Sequence, residues 1–231
     1  MIDKNMEDFT STKHKGLKEY IKESILDDEE EVFNDVRIKL EIEKFIEDNY
    51  KCKRFTISNK PNKDGKFIVD GTDILVTNKN ITSLTNNLFI WGKVTGNFHC
   101  TFCKSLTSLE GAPEKVAGSF GCNNCNSLTS LKGAPGKVGG YFSCSQCNSL
   151  KSLKGAPEEV GGDFNCSECK YLKSLEGAPK EVGGDFECGN CKSLTSLDHL
   201  PKYIHGNLYI LNIDLTQKHI ESLTQVSGNI Y

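Results

Sequence analysis

Apolar residues in the first 50 positions recur at intervals of three and four, which is the spacing of amphipathic helices. The two runs comprise Leu17, Tyr20, Ile21 and Ile25, then Phe33, Val36, Leu40, Ile42, Phe45 and Ile46. The acidic sequence "DDEEE" separates them. The pattern therefore predicts two helices in the N-terminal region.

The pattern changes to an alternation of apolar and polar residues between residues 51 and 70. Phe55 and Ile57 alternate with polar residues, and a loop with Asp64-Gly65 leads to "KFIVD". This predicts a β-hairpin. Its basic residues could contact nucleic-acid phosphates, but no stacking aromatic series accompanies them, which favours a solvated hairpin. The basic residues are Lys51, Lys53, Arg54, Lys60, Lys63 and Lys66.

A 22-residue period begins near residue 72 and dominates the rest of the chain. It is clearest in "FGCNNCNSLTSLKGAPGKVGGY", "FSCSQCNSLKSLKGAPEEVGGD" and "FNCSECKYLKSLEGAPKEVGGD". Each unit has the skeleton F-x-C-x-x-C-x-x-L-x-x-L, followed by Gly-Ala-Pro and a valine. Repeats of this length that cannot bury their apolar residues alone are typical of solenoids.

Five C-x-x-C pairs, each separated from the next by eighteen residues, raise the alternative of a zinc-binding structural array. The pairs are Cys100/Cys103, Cys122/Cys125, Cys144/Cys147, Cys166/Cys169 and Cys188/Cys191. Two pairs make one four-cysteine site, so five pairs would leave one unfilled. A stack of buried thiols has no such requirement.

The ends of the array favour buried cysteines, because the repeat continues after the cysteines stop. Upstream, Leu75 is aligned with the first cysteine and Asn78 with the second. Downstream, Leu208, Ile210 and Ile213 take the positions of Phe and the two cysteines. Positions that also accept Leu, Ile or Asn are predicted to be core and ladder positions.

The skeleton resembles the leucine-rich repeat, L-x-x-L-x-L-x-x-N/C-x-x-L, over about residues 73–215. The resemblance implies that Phe164 and Cys166 point into the core and that Cys169 lines a ladder under the strand. The amino-acid sequence of the repeats also resembles repeat arrays encoded in bacteriophage and prophage genomes. The fold class implied is α+β: a leucine-rich-repeat solenoid with a short parallel β-sheet on the concave face and irregular, non-helical convex segments.

The domain organisation expected from these patterns has three parts. Residues 1–71 form a helical and hairpin cap, which could instead bind a partner independently. Residues 72–215 form about seven turns, and residues 216–231 form a C-terminal cap with a short helix through Ile220 and Leu223. Trp91, in a three-residue insertion of the first repeat, is expected to be packed rather than exposed.

Two repeated glycine-containing features are assigned structural roles. The glycines just before each strand are expected to adopt φ values that are costly for other residues. Each Gly-Ala-Pro is expected to prevent a helix on the outer face. The glycines before the strands are Gly96, Gly118, Gly140, Gly162, Gly184 and Gly206.

Composition narrows the functional classes only slightly. The chain has 231 residues, 37% of them hydrophobic and 26% charged, and a net charge of -3 that does not point to a nucleic acid or membrane partner. Neither a membrane-length apolar run nor a secretory leader is recognised, so a cytoplasmic location is expected, in the host if the gene is from a phage. In that setting the eleven cysteines are expected to be thiols or metal ligands.

Catalysis is not expected, and no cofactor or small-molecule substrate is implied. His99 and Cys100 are adjacent, but neighbouring strand residues point to opposite faces, so the imidazole cannot activate that thiol. No P-loop, G-x-S-x-G or H-E-x-x-H sequence occurs.

The outward strand positions vary while the core positions do not, which favours a protein-binding face over an inert solvated one. We expect a non-enzymatic interaction module that binds a host protein, such as a defence factor, by a basic segment. The alternatives are nucleic-acid binding through the hairpin and a zinc-dependent array. The candidate partner-binding residues are Asn97, His99, Tyr141, Ser143, Asp163, Asn165, Asp185, Glu187 and Tyr209.

Overall fold

A computed structural model describes residues 29–212 and 217–231, and the side chains of residues 32–212 and 220–231. The predicted helix through Leu17 and Ile25, and the predicted core residue Ile213, lie outside the described residues. The chain divides into two compact units, Met1–Phe45 and Ile46–Tyr231.

Two helices are present in the described ranges. Helix α1 spans Glu29–Asn49 and confirms the second predicted helix, although Phe33 is 62% exposed and lies outside the buried stripe of Val36, Ile42 and Ile46. Helix α2 spans Gln217–Leu223, as predicted around the buried Ile220. Neither helix is long and apolar enough to cross a membrane.

The predicted hairpin is confirmed. Strand β1 (Tyr50–Ile57) pairs antiparallel with β2 (Phe67–Val76), and Ile57 lies opposite Val69. Gly65 in the connecting loop has a φ of 73°, a conformation that favours glycine. Strand β2 is also the first strand of the periodic structure, because its other edge pairs with β3 and β4.

The periodic region is a parallel β-solenoid whose turns each contribute two short strands. The first short strand of each turn pairs with its counterparts in the neighbouring turns, and these strands form the Phe ladder together with β2. The second short strands form the Val ladder together with β2 and β3 (Phe89–Val94). The Phe ladder contains β4 (Phe98–His99), β6 (Phe120–Gly121), β8 (Phe142–Ser143), β10 (Phe164–Asn165), β12 (Phe186–Glu187) and β14 (Leu208–Tyr209). The Val ladder contains β5 (Lys115–Val116), β7 (Lys137–Val138), β9 (Glu159–Val160), β11 (Glu181–Val182), β13 (Tyr203–Ile204) and β15 (Gln225–Val226).

The expected absence of helices on the outer segments is confirmed between residues 50 and 212, but those segments are not irregular. Each Gly-Ala-Pro is followed by a two-residue strand of the Val ladder, such as β7, in register with its neighbours. Because the repeat length is constant, equivalent residues lie next to each other in successive turns. Each turn can therefore pair with its neighbours through both of its short strands.

The core consists of columns of identical side chains. The phenylalanine rings of successive turns stack with centroids 5.3 to 5.6 Å apart, and Phe164 is fully buried between Phe142 and Phe186. All ten paired cysteines are buried and free. Burial of each large apolar side chain contributes roughly 1.5 to 3 kcal/mol, shared between neighbouring turns.

The second cysteine of each later unit bonds to the preceding turn. The thiol of Cys147 donates to the carbonyl of Cys122, with Sγ···O at 3.1 Å, and Cys169 donates to Cys144 at 3.3 Å. The same bond is made by Cys125 and by Cys191. The predicted cysteine ladder is therefore confirmed, and its thiols satisfy backbone carbonyls that face the core.

The upstream alignment of the repeat was wrong at two positions. Strand β2 places Leu75 opposite His99, so Leu75 points outward and Val76 takes the buried position of the first cysteine. Asn78 is exposed, and its side-chain amide donates to the Asn49 side chain at 2.8 Å instead of lining a buried ladder. The cause is a 24-residue offset in the strand, where the alignment assumed 25.

The prediction for the glycines before each strand was also wrong in its mechanism. None of them is among the residues with positive φ, which instead include the glycines that begin each Gly-Ala-Pro, with φ from 86° to 95°. A Cβ at Gly118 would lie 2.6 Å from the carbonyl oxygen of Gly96. Glycine is needed there because neighbouring turns approach closely.

Candidate functional site on the Phe ladder

The nine predicted partner-binding residues lie beside and between the buried residues of the Phe ladder, and we call the surface they form the outward strand face. Parallel pairing brings Ser143, Asn165, Glu187 and Tyr209 into one column on successive turns. Ser143 is buried, whereas the other eight are partly or largely exposed. Most of the predicted face is therefore accessible.

The column immediately before each phenylalanine has a structural role that sequence reasoning missed. The backbone N–H of Asp185 donates to Oδ1 of Asp163 at 2.9 Å, and that of Asn207 donates to Oδ1 of Asp185 at 2.6 Å. The backbone N–H of Ser119 donates to Oδ1 of Asn97 in the same way. Short polar side chains in this column therefore connect one turn to the next, and we call it the connecting column.

Tyr141 occupies the same column but extends outward. It is 42% exposed, and its ring lies 6.0 Å from the His99 ring, with 29° between the planes. Glycine at position 121 leaves room for His99, since a Cβ there would lie 2.7 Å from Nδ1. Burial lowers the pKa of His99, and the charge of Asp73 only partly opposes this effect. The lowered pKa favours a neutral imidazole beside the tyrosine at pH 7.

Three carboxylates follow on the next turns. Asp163 and Asp185 belong to the connecting column, and Glu187 accepts a hydrogen bond from Nδ2 of Asn165 at 2.7 Å. Burial raises the pKa of Glu187, and the charges of Asp163 and Asp185 raise it further. This part of the face therefore has an excess of negative charge.

The sign of the Glu187 shift makes stability depend on pH. Because the folded-state pKa lies above the ordinary 4.5, the fold loses stability as pH rises from about 4.5 through the raised pKa. Glu187→Gln keeps an acceptor for Asn165 and removes the charge. We expect it to raise the free energy of unfolding by about 0.5 kcal/mol at pH 7 and to change it little at pH 4, measured by urea unfolding.

The exposed Glu158→Gln is the control for a general loss of negative charge, because Glu158 lies outside the acidic turns of the face. An equal gain at pH 4 and pH 7 for Glu187→Gln would contradict the repulsion described above.

Aromatic residues return at the last turns of the face. The rings of Tyr209 and Tyr231 stack with centroids 4.9 Å apart, and Leu211 is 56% exposed beside them. The acidic turns thus lie between the pair His99 and Tyr141 on one side and this second aromatic cluster on the other.

A further column was missed by sequence reasoning. The residue before each second cysteine, and the one residue in the same position of the last turn, have φ between 59° and 69°. Asparagine, which tolerates this conformation, recurs in the column and was the available signal. Phe102 begins the column and is 55% exposed, which extends the apolar end of the face. The members are Phe102, Asn124, Gln146, Glu168, Asn190 and Asn212.

The basic residues of the hairpin do not all lie on one surface. Lys53 forms an ion pair with Asp73 at 2.9 Å, and the ammonium of Lys66 donates to the carbonyl of Asn86 at 2.9 Å. Arg54 points to the opposite face of β1 from Lys51 and Lys53, because strand side chains alternate. Lys60 and Lys63 lie exposed in the loop.

The geometry does not pair a base with a nucleophile at His99, which points outward while Cys100 is fully buried. Within the described residues, no group of three or more His, Cys, Asp or Glu side chains is arranged to hold a metal ion. Burial raises the pKa of Cys191 to about 12, so its thiol keeps its proton at pH 7.

We therefore expect purified protein to contain no stoichiometric zinc by elemental analysis, and EDTA to leave the urea midpoint unchanged. A structural zinc site would contribute to folding directly, so its removal would unfold the chain. Zinc at a stoichiometric level, released together with unfolding, would overturn the assignment of the cysteines.

Comparisons with protein-family models, with curated proteins and with solved structures found no match. The solenoid assignment therefore rests on the strand register and on the 22-residue offset between paired strands, which is constant from β4 onward.

Proposed function

We propose that this protein is a non-enzymatic interaction module whose outward strand face binds a basic segment of a partner protein. The observation that carries the proposal is the arrangement of Asp163, Asp185 and Glu187 between two exposed aromatic clusters. Carboxylates on neighbouring turns attract a cation. Burial raises the pKa of Glu187, and the charges of Asp163 and Asp185 raise it further; a bound cation would offset this second contribution.

The aromatic ends of the face suit arginine and lysine side chains. Tyr141 and the Tyr209/Tyr231 pair present ring surface next to the acidic turns. Cations bind over such rings and pair with carboxylates at the same time, and tyrosine often contributes strongly to protein interfaces. A nucleic acid would be repelled by the same carboxylates.

We further propose that the solenoid is of the leucine-rich-repeat type. The support is the skeleton of each unit and the bond from each later second cysteine to a backbone carbonyl, at the position where that family has Asn or Cys. The similarity of the repeats to phage and prophage arrays supports a host protein as the partner, for example a defence factor in the host cytoplasm.

The test is affinity capture from host lysate with two matched double variants. Tyr141→Ala with Glu187→Lys alters the face without removing an acceptor of the connecting column, unlike substitutions at Asp163 or Asp185. The control, Tyr171→Ala with Glu158→Lys, makes the same changes at exposed residues elsewhere on the solenoid.

We expect the face variant to capture at least ten-fold less of the partner than the wild type does, and the control variant to capture the same amount as the wild type. Raising the salt concentration should weaken capture by the wild type, because the contacts are charged. Equal capture by the wild type and both variants would refute the use of this face.

A further inference from the structure

A groove of about 870 Å³ lies beside the Val ladder, away from the outward strand face. Its apolar lining includes Trp91, Leu84 and the exposed pair Ile68 and Ile90, which lie opposite each other in β2 and β3. Ile68 is 37% exposed and Ile90 is 42% exposed. Adjacent exposed aliphatic side chains in a groove favour contact with a partner.

The groove lies at an insertion in the first repeat. The first repeat has three more residues than the later ones between its second leucine and its valine. This longer segment contains the six-residue strand β3, where later units have Gly-Ala-Pro and a two-residue strand. Trp91 is buried in that insertion, as expected, with its ring 5.3 Å from Tyr50 and 5.1 Å from Phe89. The insertion is thus rigidly packed while its outer surface stays open.

Lysines form the charged side of the groove. Lys93, Lys115 and Lys137 each precede the valine of their turn, so the register of the Val ladder places them in one column. Adjacent strands are about 4.8 Å apart, so the backbones that carry the three lysines span about 10 Å. Among the described residues, Lys137 pairs with Glu159, whereas the ammonium groups of Lys93 and Lys115 form no ion pair. The carboxylate of Asp70, next to the groove, accepts a hydrogen bond from the backbone N–H of Lys93.

We propose that this groove binds a protein segment in which acidic and aliphatic side chains alternate. The aliphatic side chains contact Ile68 and Ile90, and the carboxylates pair with Lys93 and Lys115. Glu114, which also lines the groove, is outnumbered by the lysines. The charge preference is opposite to that of the outward strand face, so the two surfaces do not compete for one ligand.

A peptide segment fits these features better than an anionic amphiphile. A fatty acid offers one charged group, whereas the lysine column extends along three turns and matches repeated carboxylates. Successive same-side residues of an extended segment are about 6.6 Å apart, a distance that two neighbouring lysine side chains can span. Both edges of β3 are already paired, with β2 and with β5, so the segment cannot add to β3 as a further strand. It would be held by side-chain contacts instead.

The test uses a fluorescein-labelled twelve-residue peptide of alternating glutamate and leucine, followed by fluorescence anisotropy. Trp91 is the only tryptophan of the chain, so its emission gives a second, local readout with unlabelled peptide. The same peptide with lysine in place of glutamate, and decanoate, are the ligand controls.

We expect saturable binding of the acidic peptide, a change in Trp91 emission, and at least ten-fold weaker binding by Ile90→Glu and by Lys93→Glu with Lys115→Glu. Lys151→Glu with Lys173→Glu is the matched control, because these exposed lysines lie on adjacent turns elsewhere and the net charge changes equally. The control should bind as the wild type does.

Three outcomes would overturn the proposal. Equal weakening by the control pair would show that only net charge matters. Equal binding of the basic peptide would remove the role of the lysines. Displacement of the labelled acidic peptide by decanoate at a lower concentration than the unlabelled acidic peptide requires would identify an amphiphile as the preferred occupant.

Discussion

Phe164→Ala is expected to lower the free energy of unfolding by about 3 to 5 kcal/mol, the range for removal of a fully buried ring. The ring of Phe164 lies 5.3 Å from the ring of Phe142 and 5.3 Å from that of Phe186, so the substitution removes contacts with both neighbouring turns. The backbone around the cavity is held by ladder hydrogen bonds and can collapse only partly. Urea unfolding followed by circular dichroism measures the loss.

The control is Tyr171→Ala, which removes an aromatic ring that is 60% exposed in the same unit. Its effect should stay within about 0.5 kcal/mol, as for most surface substitutions. A loss below 1 kcal/mol for Phe164→Ala would show that the phenylalanine column is not the main support of the solenoid.

Gly155→Ala is expected to cost about 2 to 5 kcal/mol. Gly155 has a φ of 87°, and a Cβ there would lie 2.6 Å from the backbone nitrogen of Lys132 in the preceding turn. The left-handed conformation costs a non-glycine residue about 1 to 2 kcal/mol, and overpacking adds about 1 to 3 kcal/mol. The clashing atoms belong to the backbone, so a side-chain rotation cannot relieve the contact.

Gly136→Ala is the matched control within the neighbouring unit. Its nearest atom to an added Cβ would be the carbonyl oxygen of Glu114 at 3.9 Å, and its φ is not positive. The substitution should be neutral or stabilise by up to about 1 kcal/mol, because alanine restricts the unfolded chain. Equal effects of the two substitutions would contradict the requirement for glycine at position 155.

The sequence predicted the solenoid well because the repeat places the same side chains in every turn. Substitution of Ile210 for cysteine downstream was enough to identify a core column, and Ile210 is indeed buried. The hairpin and both described helices also followed from local patterns. Such features depend on periodicity, which is visible in a single sequence.

The errors arose where geometry between turns decides the structure. Leu75 and Val76 are both apolar, so only the pairing of β2 with β4 shows which of them points inward. Glycines needed for φ and glycines needed for close approach look alike in sequence, and only contacts such as that between Gly118 and Gly96 distinguish them.

The candidate site was predicted as a set of positions but not as a set of roles. Strand alternation placed Asp163, Asp185 and Glu187 on the outward face. It could not show that Asp163 and Asp185 accept backbone hydrogen bonds while Glu187 does not take part in that column, because those bonds join residues 22 positions apart. The groove beside Trp91 was missed for a similar reason: it forms between an insertion and the next turn.

The constant 22-residue register makes each turn an interchangeable unit. Removing residues 142 to 163 would bring Phe164 next to Phe120 with every buried column intact, since the same residue types meet at each step. A gene with such repeats can gain, lose or exchange whole turns by recombination without altering the core. Such an exchange would change the order of aromatic and acidic turns on the outward face, while the fold that carries them stays the same.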